Sequence, residues 1–183
     1  MPQIEVVPYD PQWPVEFERV RRDLLQILGN NCIGIEHVGS TSVPGLAAKP
    51  IIDIDVVISS RVVFPVVRDL LEAHGYRHGG NLEIPGREAF AEPEGSSRHH
   101  LYVCSVDAPG LHDHMVLRDM LRARPDLRER YAAAKREAAE RHPHDIDAYI
   151  EDKGGVIAEI MAMARAEFSF EHFQPGEPPS TED

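Results

Sequence analysis

Lysine is scarce in this chain. Of nineteen basic residues among 183, sixteen are arginine and only Lys49, Lys135 and Lys153 are lysine. Cysteine is nearly absent too. Cys32 and Cys104 lie far apart, each inside an apolar run, which excludes a disulfide framework or a cysteine-built zinc site and fits a reducing compartment. No apolar run approaches the ~20 residues of a membrane-spanning helix. Positive charge is in deficit: the formal net charge is −12, and broad nonspecific binding to DNA or RNA needs the opposite. A local basic pocket for a small anion remains compatible with that total. The first twenty residues carry Glu5, Asp10, Glu16 and Glu18 and no apolar block, so the expectation is a chain without a secretory signal, residing in the cytoplasm.

What is present reads as an α/β half followed by a helical half. Residues 3–7 alternate weakly and suggest a short strand. From Trp13 the spacing of Phe17, Val20, Leu24, Ile27 and Leu28 predicts a helix, closed by Gly29-Asn30-Asn31. Residues 32–38 read as a strand, 41–50 as a loop with Pro44, Gly45 and Pro50, and 51–58 as the clearest strand. In that strand Ile52, Ile54, Val56 and Ile58 face one way, and Ile51, Asp53, Asp55 and Val57 the other. A helix is expected over 61–75, then short strands around Leu82–Ile84 and Ala89–Ala91. A strand over 99–106 follows, with His100 and Tyr102 on one face. Three helices follow over 112–123, 126–141 and 145–170, broken at Pro125 and Pro143; in the second, Leu127, Tyr131, Ala134 and Ala138 form the inner stripe. Residues 171–183, acidic and rich in proline, read as a disordered tail.

The chemistry gathers where a Gly-Ser turn precedes the acidic strand. Asp53 and Asp55 stand at i and i+2, so both leave one face about 6.5–7 Å apart at Cα. Carboxylates so spaced suit Mg²⁺, which takes few protein ligands and keeps water and substrate phosphates for the rest. Gly39 permits close approach of the backbone to a phosphate. A turn over Ser40, Thr41 and Ser42 adds hydroxyls and amides, and Lys49 adds a compact positive charge. The plainer account of Asp53 and Asp55 is a solvated strand face, and that of each lysine an exposed helix or loop position.

Several segments together resemble the GrpB family. They are residues 7–14 (VPYDPQWP), 35–46 (IEHVGSTSVPGL), 49–55 (KPIIDID), 99–103 (HHLYV), 117–123 (LRDMLRA) and 149–153 (YIEDK), in order across nearly the whole chain. The resemblance implies a nucleotidyltransferase-like α/β core, a mixed sheet with flanking helices and a C-terminal helical extension. It implies one such domain over 1–170, with the α/β core in 1–108 and the helical part in 109–170. A similar domain occurs fused to dephospho-CoA kinase, which raises an accessory role in binding or folding.

Active nucleotidyltransferases usually add a third carboxylate from a later strand, where this chain offers His100 and Tyr102. His100 is then a metal ligand, a proton carrier, or a hydrogen-bonded residue lining the sheet. Glu83, Glu88 and Asp107 are the other candidate acids. Arg87 is placed to clamp a triphosphate, or else to pair with Glu83 or Glu88. Lys135 and Lys153, the latter on one helix face with Tyr149, form a candidate basic wall between sheet and helices. His37 reads as a packed residue at a strand end that orders the Gly-Ser turn. The pairs His112/His114 and His142/His144 have metal-like spacing without cysteine partners.

Three functions stay open. The first is Mg²⁺-dependent transfer of a nucleoside monophosphate from an NTP to an unknown small-molecule or protein acceptor. In it Asp53 and Asp55 hold the metal, and Gly39, Ser40, Thr41, Ser42, Lys49, Arg87, Lys135 and Lys153 hold phosphate. The second is a noncatalytic nucleotide- or CoA-related binding module. The third is a metal-dependent phosphohydrolase using His100.

Overall fold

The computed structural model describes residues 3–167. The expected tail over 171–183 lies outside them. Helix α1 spans Gln12–Leu28. It starts where Asp10 Oδ1 accepts the Gln12 amide at 2.9 Å, and ends where Gly29 turns to φ 53°. Its buried side chains, Trp13, Phe17, Val20, Leu24 and Leu28, recur every three or four residues and make one apolar stripe. Strand β1 covers Gly34–Val38, and β2 covers Ile52–Ile58. Helix α2 runs over Phe64–Ala73, with proline in its first turn, where the missing amide costs nothing. Strands β3 (Arg77–Gly80), β4 (Arg87–Ala91) and β5 (His99–Ser105) complete the sheet.

The sheet is mixed, in the order β1-β2-β5-β4-β3. β2 pairs in parallel with β5, and every other neighbour is antiparallel. The strict alternation of β2 decides its two faces. Ile52, Ile54, Val56 and Ile58 join Leu101, Val103 and the stripes of α1 and α2 in the main core. The other face carries Asp53 and Asp55 toward the C-terminal helices.

Those helices are α3 (Pro109–Ala123), α4 (Pro125–Arg141) and α5 (Ile146–Glu167). Arg124, which separates α3 from α4, is extended at φ −120° and ψ 91°. Pro125 forces this, because its ring excludes the helical region for the residue before it. The first half of α3 packs Leu111 and Met115 against Val38, Val57 and Cys104. Its second half joins α4, α5 and the loop residues Val43 and Leu46 in a separate cluster.

Three expectations need correction. Residues 3–7 make only a single bridge, Val7 to Ala48, since the run has no neighbouring strand to extend along. The segment Leu82–Ile84 is the tip of the β3–β4 hairpin rather than a strand. Leu82 and Glu83 there adopt φ 47° and 62°, a left-handed conformation that no ladder accepts. In α4 the buried stripe takes Ala132 and Lys135 rather than Ala134, because Lys135 reaches inward to polar partners.

Candidate functional site

Gly39 opens the site. It sits at φ 68°, and a Cβ built on it would lie 2.2 Å from Asp53 Oδ2. Glycine is therefore required twice, for the turn and for the close approach of the Asp53 carboxylate to the backbone. Ser40–Ser42 form a single 3₁₀ turn, too short to carry the dipole of a helix. Two of its hydroxyls have defined partners: Ser42 Oγ donates to the Gly39 carbonyl at 2.6 Å, and Thr41 Oγ1 lies 3.0 Å from His37 Nε2. From α3, Arg122 donates twice to the Ser42 carbonyl, at 3.1 and 2.8 Å. Arg118 donates to the His37 carbonyl at 3.2 Å and to Glu36 at 3.0 Å. The turn is thus clamped from the helical side. His37, stacked on Phe17 with ring centroids 4.6 Å apart, is held neutral. Burial, then the positive charge of Arg122, push its pKa down to about 4.

Behind the turn lies a pocket of about 220 Å³. Its walls include Ser40, Thr41, Asp53, His100 and Tyr102, together with Lys49, Lys135 and Lys153. All three lysines of the chain meet here. None makes an ion pair with a described carboxylate. Tyrosine rings hold them instead. Lys49 and Lys153 lie 5.5 and 5.2 Å from the centroid of Tyr149, and Lys135 lies 4.6 Å from that of Tyr131. Lys135 is only 1% exposed, and its ammonium donates to the Ala47 carbonyl. Burial, then the neighbouring charges of Lys153 and Arg136, bring its pKa down to about 7. Lys49 and Lys153 are lowered for the same first reason.

The two aspartates have different surroundings. Asp53, 29% exposed at its side chain, opens onto the pocket. Its Oδ1 accepts from His100 Nδ1 at 2.9 Å, across a register position where the two residues are direct neighbours. Asp55 is fully buried and outside the pocket lining. Its Oδ2 accepts from His114 Nδ1 at 2.8 Å. Burial raises the Asp55 pKa against the pull of this bond. Burial also opposes charge on His114, but the bond and charge of Asp55 prevail and raise it. Asp55 Oδ1 and Arg87 Nε are buried without hydrogen-bond partners.

Of the sequence candidates, Ser40, Thr41, Lys49, Asp53, His100, Lys135 and Lys153 therefore meet in one pocket, with Gly39 against its Asp53 wall. Ser42 points away, into its own turn. Arg87 is buried with its guanidinium 4.4 Å from the centroid of Tyr102. Glu88 pairs instead with Arg61 and His78. No candidate third acid lines the pocket: Glu83 and Asp107 are exposed, and Glu88 belongs to the face that α2 covers. Opposite Asp55 in register stands Tyr102. His142 pairs with Asp152 at 2.9 Å. Among the described residues no group of three His, Cys, Asp or Glu side chains gathers closely enough to hold a metal ion by itself. The His112/His114 spacing drew attention to His114, but sequence reading missed its role as the partner of Asp55.

No helix among the described residues is long and apolar enough to cross a membrane. A family model described as GrpB protein matches residues 3–163. The UPF0157 protein YqkA of Bacillus subtilis is 33% identical over 151 residues, 82% of this chain but only 44% of that protein's length. A dephospho-CoA kinase of Mycolicibacterium paratuberculosis is 29% identical across 80% of this chain and 42% of its own. The crystal structure of the conserved protein GrpB from Enterococcus faecalis aligns at a TM-score of 0.81 and 34% identity, over 89% of this chain and 98% of that one. The Cid1 poly(U) polymerase bound to MgATP aligns at 0.46 and 13% identity over 71% of this chain and 45% of that one, a likeness too slight to bring its chemistry across. The match of the family model over most of the chain and the agreement of the Enterococcus fold establish that this chain belongs to the GrpB family.

Proposed function

We propose that the pocket takes the phosphate chain of an NTP and that the chain transfers the nucleoside monophosphate to an acceptor. One observation carries the reading: in an acidic chain, all three lysines converge without acid partners on a pocket walled by Ser40, Thr41 and Asp53. Unpaired, partly desolvated ammonium groups gain most from an anion brought among them. Lys49, Lys135 and Lys153 neutralise the phosphates, and the Ser40 hydroxyl adds a hydrogen bond.

The donor set suits Mg²⁺ carried in with the nucleotide. Asp53 faces the pocket, and Asp55 Oδ1 is buried and unpartnered. The absence of a third acid among the described pocket residues leaves most of the coordination shell to phosphate and water, as Mg²⁺ prefers. Asp53 and Asp55 would hold the ion, which supplies neutralisation of charge building on the leaving pyrophosphate. His100 orients Asp53 through Nδ1 and turns Nε2 to the acceptor. The acceptor hydroxyl attacks the α-phosphorus; the new P–O bond forms as the bond to the β-phosphate breaks. Pyrophosphate leaves, and His100 Nε2 takes the hydroxyl proton.

A second reading, binding without transfer, is favoured by Tyr102 standing where a third acid would pair with Asp55, and by the engagement of Asp55 with His114. Calorimetric titration of ATP with and without Mg²⁺, followed by pyrophosphate detection with candidate acceptors, tests both. The expected result is binding that Mg²⁺ strengthens in the wild type but not in Asp53→Asn, and that Lys153→Met weakens at least tenfold. ATP binding unchanged in Lys153→Met and Lys49→Met overturns the pocket assignment. Binding with no pyrophosphate release from any acceptor leaves the second reading.

A further inference from the structure

We infer that this site reads the phosphate chain of its ligand and is blind to the base: any NTP, or inorganic tripolyphosphate alone, fills it equally. The inference rests on the phosphate-pocket reading above and concerns what that pocket recognises.

Size is the first constraint. About 220 Å³ falls below the ~300–1,000 Å³ usual for sites that enclose a drug-sized ligand, so a phosphate chain fits within it and a nucleoside lies outside.

The second constraint is the state of the rings. A base-specific site needs a free aromatic face to stack on and fixed donors and acceptors to read the base edge. Tyr149 carries the Lys49 and Lys153 ammonium groups, and Tyr102 carries the Arg87 guanidinium. Tyr131, beneath the pocket, carries Lys135. Each of these tyrosines gives a π-face to a cation. His100 is the one lining ring without a cation over it, and stacking on it would not distinguish bases, because every base has a π-face.

The third constraint is composition. The lining contains no Asn or Gln, the side chains that pair most directly with base edges. Its polar groups are three ammonium groups, the hydroxyls of Ser40, Thr41, Tyr102 and Tyr149, the His100 ring and the Asp53 carboxylate, a set dominated by cations that count negative charge and phosphate oxygens.

The test uses the wild-type chain and calorimetric titration with ATP, GTP, CTP, UTP, sodium tripolyphosphate, AMP and adenosine, each at fixed Mg²⁺ and salt. Agreement of the four NTPs and tripolyphosphate within about threefold is expected. AMP, which engages fewer lysines, should bind at least tenfold more weakly, and adenosine should give no heat. In Lys153→Met all four NTPs should lose affinity by the same factor. A tenfold preference for one NTP, or measurable adenosine binding, overturns the inference while the phosphate pocket stands. No binding by any NTP or by tripolyphosphate overturns both.

Discussion

The two faces of β2 are made by one strand and obey different rules. On the α1/α2 side, Ile52, Ile54, Val56 and Ile58 are sealed in a continuous apolar core. On the α3 side, two residues apart, Asp53 opens to a pocket while Asp55 is closed against His114. The first face holds the sheet in shape. The second tolerates an orphaned carboxylate oxygen and unpaired ammonium groups, which cost stability and suit the cation and the anion proposed for the pocket. Stability and the proposed recognition are thus segregated across the thickness of one sheet.

The largest expected effect belongs to the apolar face. Leu24→Ala in α1 should cost about 2–5 kcal/mol of unfolding free energy, measured by urea denaturation. Tripolyphosphate affinity, measured where the variant is folded, should be unchanged. A loss of affinity would show that the two faces are coupled. Gly39→Ala comes next. A Cβ 2.2 Å from Asp53 Oδ2 at φ 68° should cost about 1–3 kcal/mol and also displace Asp53, so the Mg²⁺ enhancement of ATP binding should vanish. Lys153→Met should leave stability within about 0.5 kcal/mol, as for a change that breaks no ion pair, yet weaken ATP at least tenfold.

A further effect is a slope with pH. Lys135 has a pKa of about 7 when folded, against 10.5 for an ordinary lysine. Below pH 7 both states hold the proton, and the cost of burying the charge is full. Between about 7 and 10.5 the unfolded chain binds more protons, so stability rises with pH through that window. Lys135→Met should remove this contribution, read as a flatter trend of Tm between pH 7 and 9. An anion restores the charge on Lys135, so ATP affinity should fall over the same range in the wild type.

Much of this was legible in the chain. The alternation of β2 gave its two faces directly, because the period of a strand is fixed at two. The Gly-Ser turn, Asp53 and Lys49 are close in sequence, and their convergence needed little tertiary information. Lys135 and Lys153 were legible as a basic wall because their helices follow the sheet in order. The union of Asp55 with His114 was not, since 59 residues separate them and only the lie of α3 across the sheet joins them. Arg87 was read as a phosphate clamp or a surface ion pair. Its burial against Tyr102 depends on β4 sitting beside β5 in register, a pairing across the 92–98 connection that the sequence did not specify.

The parallel pairing of β2 with β5 also has a consequence in time. Residues 52–58 must wait for residues 99–105 before their inner edge is satisfied, and the pocket must wait further for Lys135 and Lys153. Contacts so distant along the chain close slowly, because the loop entropy is lost before the contacts form. During synthesis α1 and β1 can pair with β2 early, while one edge of β2 stays open to neighbouring chains. The same arrangement that brings three lysines to one aspartate therefore makes the proposed site among the last parts of the molecule to form.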